Sequence, residues 1–317
     1  MIIKRRRDGR FWRYVPRLGA VTTAANQTVV IQEWNATAPT TINWGDGSTK
    51  VVPANTGTTI SHTYAVAGTY TIRLSVSPLA VTRMDFRDVG LQVYSAWLKQ
   101  CVNTIYFRCS TGPQGVINSA DMSAWRPITW DCFILPAGFT GVINSADMSA
   151  WRPTTWLCFS LPAGFTGTIN SADMSAWRPT YWYCFNLPTG FTGTINSADM
   201  SAWRPTDWQC CSLPAVMRPL TVAAADFSAW TTMTNFYIKD NSLSQAQVDA
   251  VLQGMYAAFA TRTVANGTIL AAGNNAAPSG TYQADCPPVS GKEWAYELTH
   301  DSCSVNPTHK WLTVTTN

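Results

Sequence analysis

Polar and apolar residues alternate along much of this chain at the spacing of strands. Thr28-Val29-Val30-Ile31, Thr40-Thr41-Ile42-Asn43-Trp44 and Thr69-Tyr70-Thr71-Ile72-Arg73-Leu74-Ser75-Val76 each read as a strand, with Gly-rich turns between them. This predicts a small β-sandwich over residues 20–78. A helical stripe appears at Val248, Val251, Leu252, Met255 and Tyr256, inside a helix expected over 245–260 and capped by Ser244. A strand is expected at 268–271, and β-like pieces at 294–298 and 311–315 close the chain.

Between 115 and 213 the pattern repeats itself. The eleven residues INSADMSAWRP at 117–127 recur unchanged at 143–153, 169–179 and 195–205, a period of 26. The stretch that follows varies: ITWDCFIL at 128–135, TTWLCFSL at 154–161, TYWYCFNL at 180–187 and TDWQCCSL at 206–213. A single unit of this kind cannot bury its apolar face, whereas stacked units share one core. The flanks are degenerate, as capping units are: Asn103-Thr104-Ile105-Tyr106-Phe107-Arg108-Cys109 stands one period upstream, and Asp226-Phe227-Ser228-Ala229-Trp230 repeats the DMSAW step with one residue inserted. The array is therefore placed at 79–243 and a small α/β cap at 244–317.

Strand alternation sorts the variable stretch into two faces. Trp130, Trp156, Trp182 and Trp208 turn inward with Cys132, Cys158, Cys184 and Cys210, which act as small buried hydrophobes. A second column, Trp125, Trp151, Trp177 and Trp203, lines the opposite wall. The outward set changes from unit to unit: Thr129, Asp131, Phe133 and Ile134; Thr155, Leu157, Phe159 and Ser160; Tyr181, Tyr183, Phe185 and Asn186; Asp207, Gln209, Cys211 and Ser212. A constant frame with a changing strip predicts a binding surface. Neutral drift is the competing explanation, but drift should mark exposed places on the other turns too, and those are nearly untouched.

Composition sharpens this picture. The 317 residues are 46% hydrophobic and only 13% charged, with 15 Trp, far more than scattered surface use requires. Net charge is +4, but residues 1–17 hold seven of the 22 basic residues and one of the 18 acidic ones, leaving 15 and 17 downstream, a net of −2. Residues 1–19 thus form a basic arm, in which Lys4, Arg5, Arg6, Arg7, Arg10 and Arg13 are expected to dock the chain to a larger particle. No aromatic-basic groove accompanies the arm, so docking is preferred to nucleic-acid binding. The arm is followed by no apolar run of signal-peptide length, and no segment has the roughly 20 apolar residues of a membrane span. The three His (62, 300, 309) and the Cys spacing match no metal motif, and no cofactor is expected; Cys286 with Cys303 is a candidate disulfide.

Three stretches resemble known families. Trp44-Gly45-Asp46-Gly47-Ser48, with His62-Thr63-Tyr64 and Gly68-Thr69-Tyr70, resembles the PKD domain, an immunoglobulin-like module of surface and secreted proteins. The resemblance implies that Gly45-Asp46-Gly47 is a structural turn, although the same residues suggest a metal loop. Met233-x-x-Phe236-x-Ile238-x-x-Asn241-x-Leu243 resembles the leucine-rich-repeat signature, from which the internal copies depart by placing Leu135 where Asn is expected. The segment LSQAQVDAVL with Asn274-Asn275-Ala276-Ala277-Pro278-Ser279-Gly280-Thr281-Tyr282 is similar to C-terminal segments of repeat proteins encoded by tailed bacteriophages.

Repeated polar residues also invite chemistry. Asp121, Asp147, Asp173 and Asp199 form an acidic ladder, and paired carboxylates do acid–base work on glycosides. Identical carboxylates at every repeat are more simply turn acceptors, satisfied by backbone N–H groups or by Arg126, Arg152, Arg178 and Arg204. Asn118, Asn144, Asn170 and Asn196 read as a buried hydrogen-bonding ladder. No nucleophile elbow, phosphate loop or zinc helix is present. The expectation is a mainly β chain, an immunoglobulin-like (PKD) sandwich followed by a parallel-β leucine-rich-repeat-like solenoid. Its expected role is that of a non-enzymatic virion protein of a tailed bacteriophage, a capsid decoration or tail fibre. Its partners would be other virion proteins and a host surface protein or glycan, with a homo-oligomer as an option. A bacterial cell-surface adhesin and a carbohydrate-active enzyme are the alternatives.

Overall fold

The computed structural model describes residues 15–317 apart from 111, 133, 134, 160 and 219; the side chains of Cys158, Phe159 and Phe185 are also outside the described set. The basic residues Lys4, Arg5, Arg6, Arg7, Arg10 and Arg13, and Phe133, Ile134 and Ser160 of the variable strip, lie outside the described residues.

Among the described residues, twenty strands follow one another. The first six are β1 (Arg17–Thr22), β2 (Gln27–Ala36), β3 (Thr40–Asn43), β4 (Thr49–Val52), β5 (Thr58–Tyr64) and β6 (Gly68–Ser75). Next come β7 (Val81–Phe86), β8 (Leu91–Tyr94), β9 (Tyr106–Cys109), β10 (Gln114–Val116), β11 (Thr129–Asp131), β12 (Phe139–Val142) and β13 (Thr155–Phe159). The last are β14 (Phe165–Thr168), β15 (Tyr181–Phe185), β16 (Phe191–Thr192), β17 (Asp207–Cys211), β18 (Asn235–Tyr237), β19 (Thr268–Leu270) and β20 (Thr313–Thr315).

These strands build two long sheets. One runs β16-β14-β12-β10-β8-β1-β6-β3-β4 and the other β20-β19-β18-β17-β15-β13-β11-β9-β7-β2-β5. The N-terminal strands pair antiparallel, and from β7 onward the larger sheet is parallel. β2 pairs antiparallel with β7, and β1 with β8. Both sheets therefore span the boundary expected between residues 78 and 79, which lie in a short helical turn, and Arg17, counted with the basic arm, already belongs to β1. Each 26-residue coil contributes one strand to each sheet and a single helical turn, such as Ser145–Met148, between them.

The core lies between the sheets as one continuous cluster. Trp130, Trp156, Trp182 and Trp208 are all buried, as are Trp125, Trp151, Trp177 and Trp203. Parallel pairing in register sets Trp156 opposite Trp182 and Trp182 opposite Trp208, so the rings stack with centroids 5.7 and 5.4 Å apart. Phe107 stacks on Trp130 at 4.9 Å and Phe236 on Trp208 at 5.0 Å, so phenyl rings close the column at both ends. The second column meets the first edge-on or tilted, as in Trp156–Trp177 and Trp182–Trp203. Aromatic pairs favour such offset and T-shaped contacts. Among the described residues, the indole N–H groups of these eight rings have no hydrogen-bond acceptor. Neighbouring ring faces are the weak alternative available to them.

Close stacking needs close backbones. Gly167 has φ +148°, and a Cβ there would stand 2.0 Å from the Ile143 carbonyl oxygen of the coil before; Gly141 repeats the geometry against Ile117. Only glycine fits such an approach.

Toward the C-terminal end the coil changes. The helix Gln245–Phe259 forms as expected, with Ser244 and Gln247 in a reciprocal capping box, and buries Val248, Val251, Leu252 and Met255. Asn241 donates to the carbonyls of Cys210 and Ile238 while its Oδ1 accepts from Leu213 N–H. One coil later Asn275 donates to Ile238 and Ala271 and accepts from Asn241 and Leu243. In the four 26-residue copies buried Leu135, Leu161, Leu187 and Leu213 stand where Asn would. The piece at 294–298 is not β-like. It lies in the helix Gly291–His300, because Glu293 reaches back to the N–H groups of Val289 and Ser290 and caps it. Arg262 closes the end of the core, its guanidinium 3.9 Å from the Trp311 ring centroid. Cys286 and Cys303 are joined in a disulfide, with Cα atoms 5.6 Å apart.

Replacing Trp156 by Ala should destabilise the fold by about 3–5 kcal/mol, measured by urea denaturation, because the cavity opens within the first ring column and beside Trp177 of the second. Gly167→Ala should cost about 1–3 kcal/mol although it only adds a methyl group.

Candidate functional site

The outward side chains of the larger sheet fall into two rows. One runs Arg83, Tyr106, Thr129, Thr155, Tyr181, Asp207, Asn235 and Thr268, in register from β7 to β19. The other runs Asp85, Arg108, Asp131, Leu157, Tyr183, Gln209, Tyr237 and Leu270. The residues of the strip at 129, 131, 155, 157, 181, 183, 207 and 209 are therefore brought together on one face. Phe159 and Phe185 continue it at backbone level, each paired in register, and Asn186 follows β15 in a left-handed conformation, φ 42°.

Exposure along the face is uneven. Tyr181 is 44% exposed, while Thr129, Thr155, Leu157, Tyr183 and Gln209 are half-buried. Asp131 and Asp207, expected to be open, are each only 6% exposed, and Cys211 is buried. Neighbouring long side chains cover the two carboxylates. Asp131 forms an ion pair with Arg108 at 3.0 Å. Asp207 accepts hydrogen bonds from Gln209 Nε2 and Asn235 Nδ2, both at 2.6 Å, and from the Tyr183 hydroxyl. Burial, then the adjacent Asp207 carboxylate, pushes the Tyr183 phenol well above its ordinary range.

The two ends of the face differ in chemistry. Toward the N-terminal end carboxylates are matched with arginines: Glu33 with Arg83, Asp85 with Arg87, Asp131 with Arg108. Arg83 also lies over the Tyr106 ring, 4.3 Å from its centroid. Toward the C-terminal end tyrosines and amides surround a single carboxylate. Arg83, Asp85, Tyr106, Arg108, Asn235 and Tyr237 were not among the residues chosen from the variable strip. The signal for four of them was there, since the degenerate flanking units carry the same strand period.

The repeated aspartates are structural. Asp147 Oδ2 accepts from Ser119 Oγ of the preceding coil at 2.6 Å, and Asp173, Asp199 and Asp226 accept in the same way from Ser145, Ser171 and Ser197 at 2.5 Å. Each serine oxygen also accepts a backbone N–H one coil on, as from Asn170 to Ser145. The arginines expected to satisfy the aspartates do not: Arg126, Arg152, Arg178 and Arg204 donate to carbonyls of their own turn. The asparagine ladder links successive coils, Asn144 Oδ1 accepting from Thr168 N–H at 3.0 Å, but its members are half-buried at the rim.

Cysteine chemistry is suppressed. Cys132, Cys184 and Cys210 are buried. Burial, with the neighbouring Cys184 and Cys211, raises the Cys210 thiol well above its usual range. A thiol that stays protonated is unreactive.

At the Gly45-Asp46-Gly47 turn, both oxygens of Asp46 are engaged. Oδ1 accepts from Ser48 N–H and Oγ, and Oδ2 pairs with His62 Nε2 at 2.7 Å. His62 stacks on Trp44, and Tyr64 donates to the Trp44 carbonyl. This is the donor set of a turn rather than of a cation cage. Burial pushes the Asp46 carboxyl up, but the Ser48 and His62 hydrogen bonds and the His62 charge outweigh it and hold it at about 2.

Among the described residues no helix is long and apolar enough to cross a membrane. No protein-family model, no curated protein and no solved structure matches the chain.

Because the folded Asp46 carboxyl lies below the ordinary value of about 3.9, it stabilises the fold above that pH, and the contribution is lost as pH falls toward about 2. Asp46→Asn should therefore lower stability at pH 6 and flatten the loss of stability between pH 5 and pH 2, followed by urea denaturation across that range.

Proposed function

We propose that this chain is a non-enzymatic attachment protein of a tailed-bacteriophage particle, a capsid decoration or tail fibre. In this reading the basic N-terminal residues dock to other virion proteins. A PKD-like sandwich forms the base, and leucine-rich-repeat-like coils present a face to the host or another surface. The observation that carries it is a sorting of side chains. Within the fixed segment Ile117, Ser119, Met122 and Trp125 are buried with their repeats, Ser–Asp bonds tie coil to coil, and exposed Ala120, Ser123, Ala124 and Arg126 recur unchanged. In the strip where most differences fall, the side chains at 129, 131, 155, 157, 181, 183, 207 and 209 come to one face in two straight rows.

The resemblances gain physical support. The PKD-like WGDGS and HTY segments meet through Asp46–His62, Trp44–His62 and Tyr64–Trp44 contacts. In the leucine-rich-repeat-like segment Asn241 satisfies backbone groups of two coils, and Asn275, outside that segment, does the same one coil later. The Cys286–Cys303 disulfide favours a second reading, a bacterial cell-surface adhesin, since disulfides persist in oxidising surroundings. Both readings use the same face.

Replacing Tyr181, Tyr183 and Phe185 together by Ala should weaken attachment of the labelled protein to host cells by about tenfold or more while the circular dichroism of the fold is retained, with the melting temperature lowered by loss of the half-buried Tyr183 and its hydrogen bond to Asp207. Full attachment by a normally folded triple variant would remove the face from the attachment mechanism.

A further inference from the structure

The C-terminal end of the binding face holds a compact array of six side chains. Tyr181, Asp207 and Asn235 lie side by side across β15, β17 and β18, and Tyr183, Gln209 and Tyr237 lie beside them in the next row. At its centre is the Asp207 carboxylate, nearly buried and held by Gln209, Asn235 and Tyr183, all neutral donors. No Lys, Arg or His among the described residues forms an ion pair with it. The acidic groups Glu33, Asp85 and Asp131 on the same face each have an arginine. Asp207 is the carboxylate whose charge is left for something else.

The surroundings are turned to suit a cation. A carboxylate only accepts, so Gln209 and Asn235 must point their amide nitrogens at Asp207. Their carbonyl oxygens are then left as acceptors beside the negative charge. Tyr181, 44% exposed and directly opposite Asp207 in register, offers an open ring face. Ring faces attract cations, most strongly ammonium groups brought beside a carboxylate. An anionic ligand would be repelled, and a neutral sugar would leave the charge unanswered. The array is three strands wide, roughly 10 Å across at the usual strand spacing, with Tyr181 exposed, four side chains half-buried and Asp207 reached at its edge. That shape suits one or two rings of a polymer.

We propose that this array binds the free amino groups of an amino-sugar polysaccharide, with Asp207 as the charge partner and Tyr181 as the stacking platform. This rests on the reading of the face as an attachment surface and specifies its ligand chemistry.

The test is calorimetric titration of the full chain with a glucosamine hexamer and with its fully N-acetylated counterpart at low salt. The free-amine hexamer should bind about tenfold or more tighter, since acetylation removes the charge and keeps the sugar skeleton. Asp207→Asn should abolish that preference. Tyr181→Ala, at an exposed position, should weaken binding of the free amine about fivefold or more with an unchanged melting temperature. Equal binding of the two hexamers, or a preference surviving in Asp207→Asn, would overturn the proposal. So would failure of both hexamers to bind while host-cell attachment still depends on Tyr181, Tyr183 and Phe185; that outcome leaves the attachment reading standing and discards only the amine.

Discussion

Stacking of indole rings between two sheets is the contact on which the rest of this molecule depends. Each coil supplies one ring to each of two columns, and a buried ring of this size removes some 150–250 Å² from water. No coil can bury its own pair; the ring above and the ring below do it. The requirement propagates outward. Rings stack only if the parallel strands stay in register, and register holds only if the turns between strands come equally close. Gly167 against the Ile143 carbonyl, and Ser145 against Asp173, are the fittings that allow it.

That constraint also explains where variation is tolerated. A change at an inward position, a glycine or a Ser–Asp link would disturb the coils on both sides. A change at 129, 131, 155, 157, 181 or 183 affects only the outer face. Variation can therefore accumulate there without touching the core, constrained mainly by pairs along the face such as Arg108–Asp131 and Asp207–Asn235. The N-terminal antiparallel strands join the same architecture, since β2 pairs with β7 and so extends the sheet that carries the face. Charge-paired residues at that end and tyrosine–amide groups at the other give one surface two chemistries.

Much of this was legible in the residues. A fixed INSADMSAWRP with a varying strip identified the coil and its period, and strand alternation separated Trp156 from Thr155 and Leu157. The capped helix behind Ser244 and the pairing of Cys286 with Cys303 were also readable. Other features were not. The segment around Trp294 alternates well enough to pass for a strand, and only the Glu293 cap makes it helical. The repeated aspartates were rightly assigned to structure, but their partners are serines one coil away rather than arginines in the same turn.

What the sequence determined alone is periodic: which residues repeat, which alternate, and so which face of each strand is apolar. Those follow from local backbone geometry, in which neighbouring side chains on a strand point opposite ways. What the tertiary structure decided is every relation between coils. Asp207 is covered because Gln209, Asn235 and Tyr183 converge on it from three strands. Asp131 is neutralised because parallel register sets Arg108 beside it. Exposure and charge pairing at a surface depend on neighbours distant in the chain, and alternation within one strand carries no information about them.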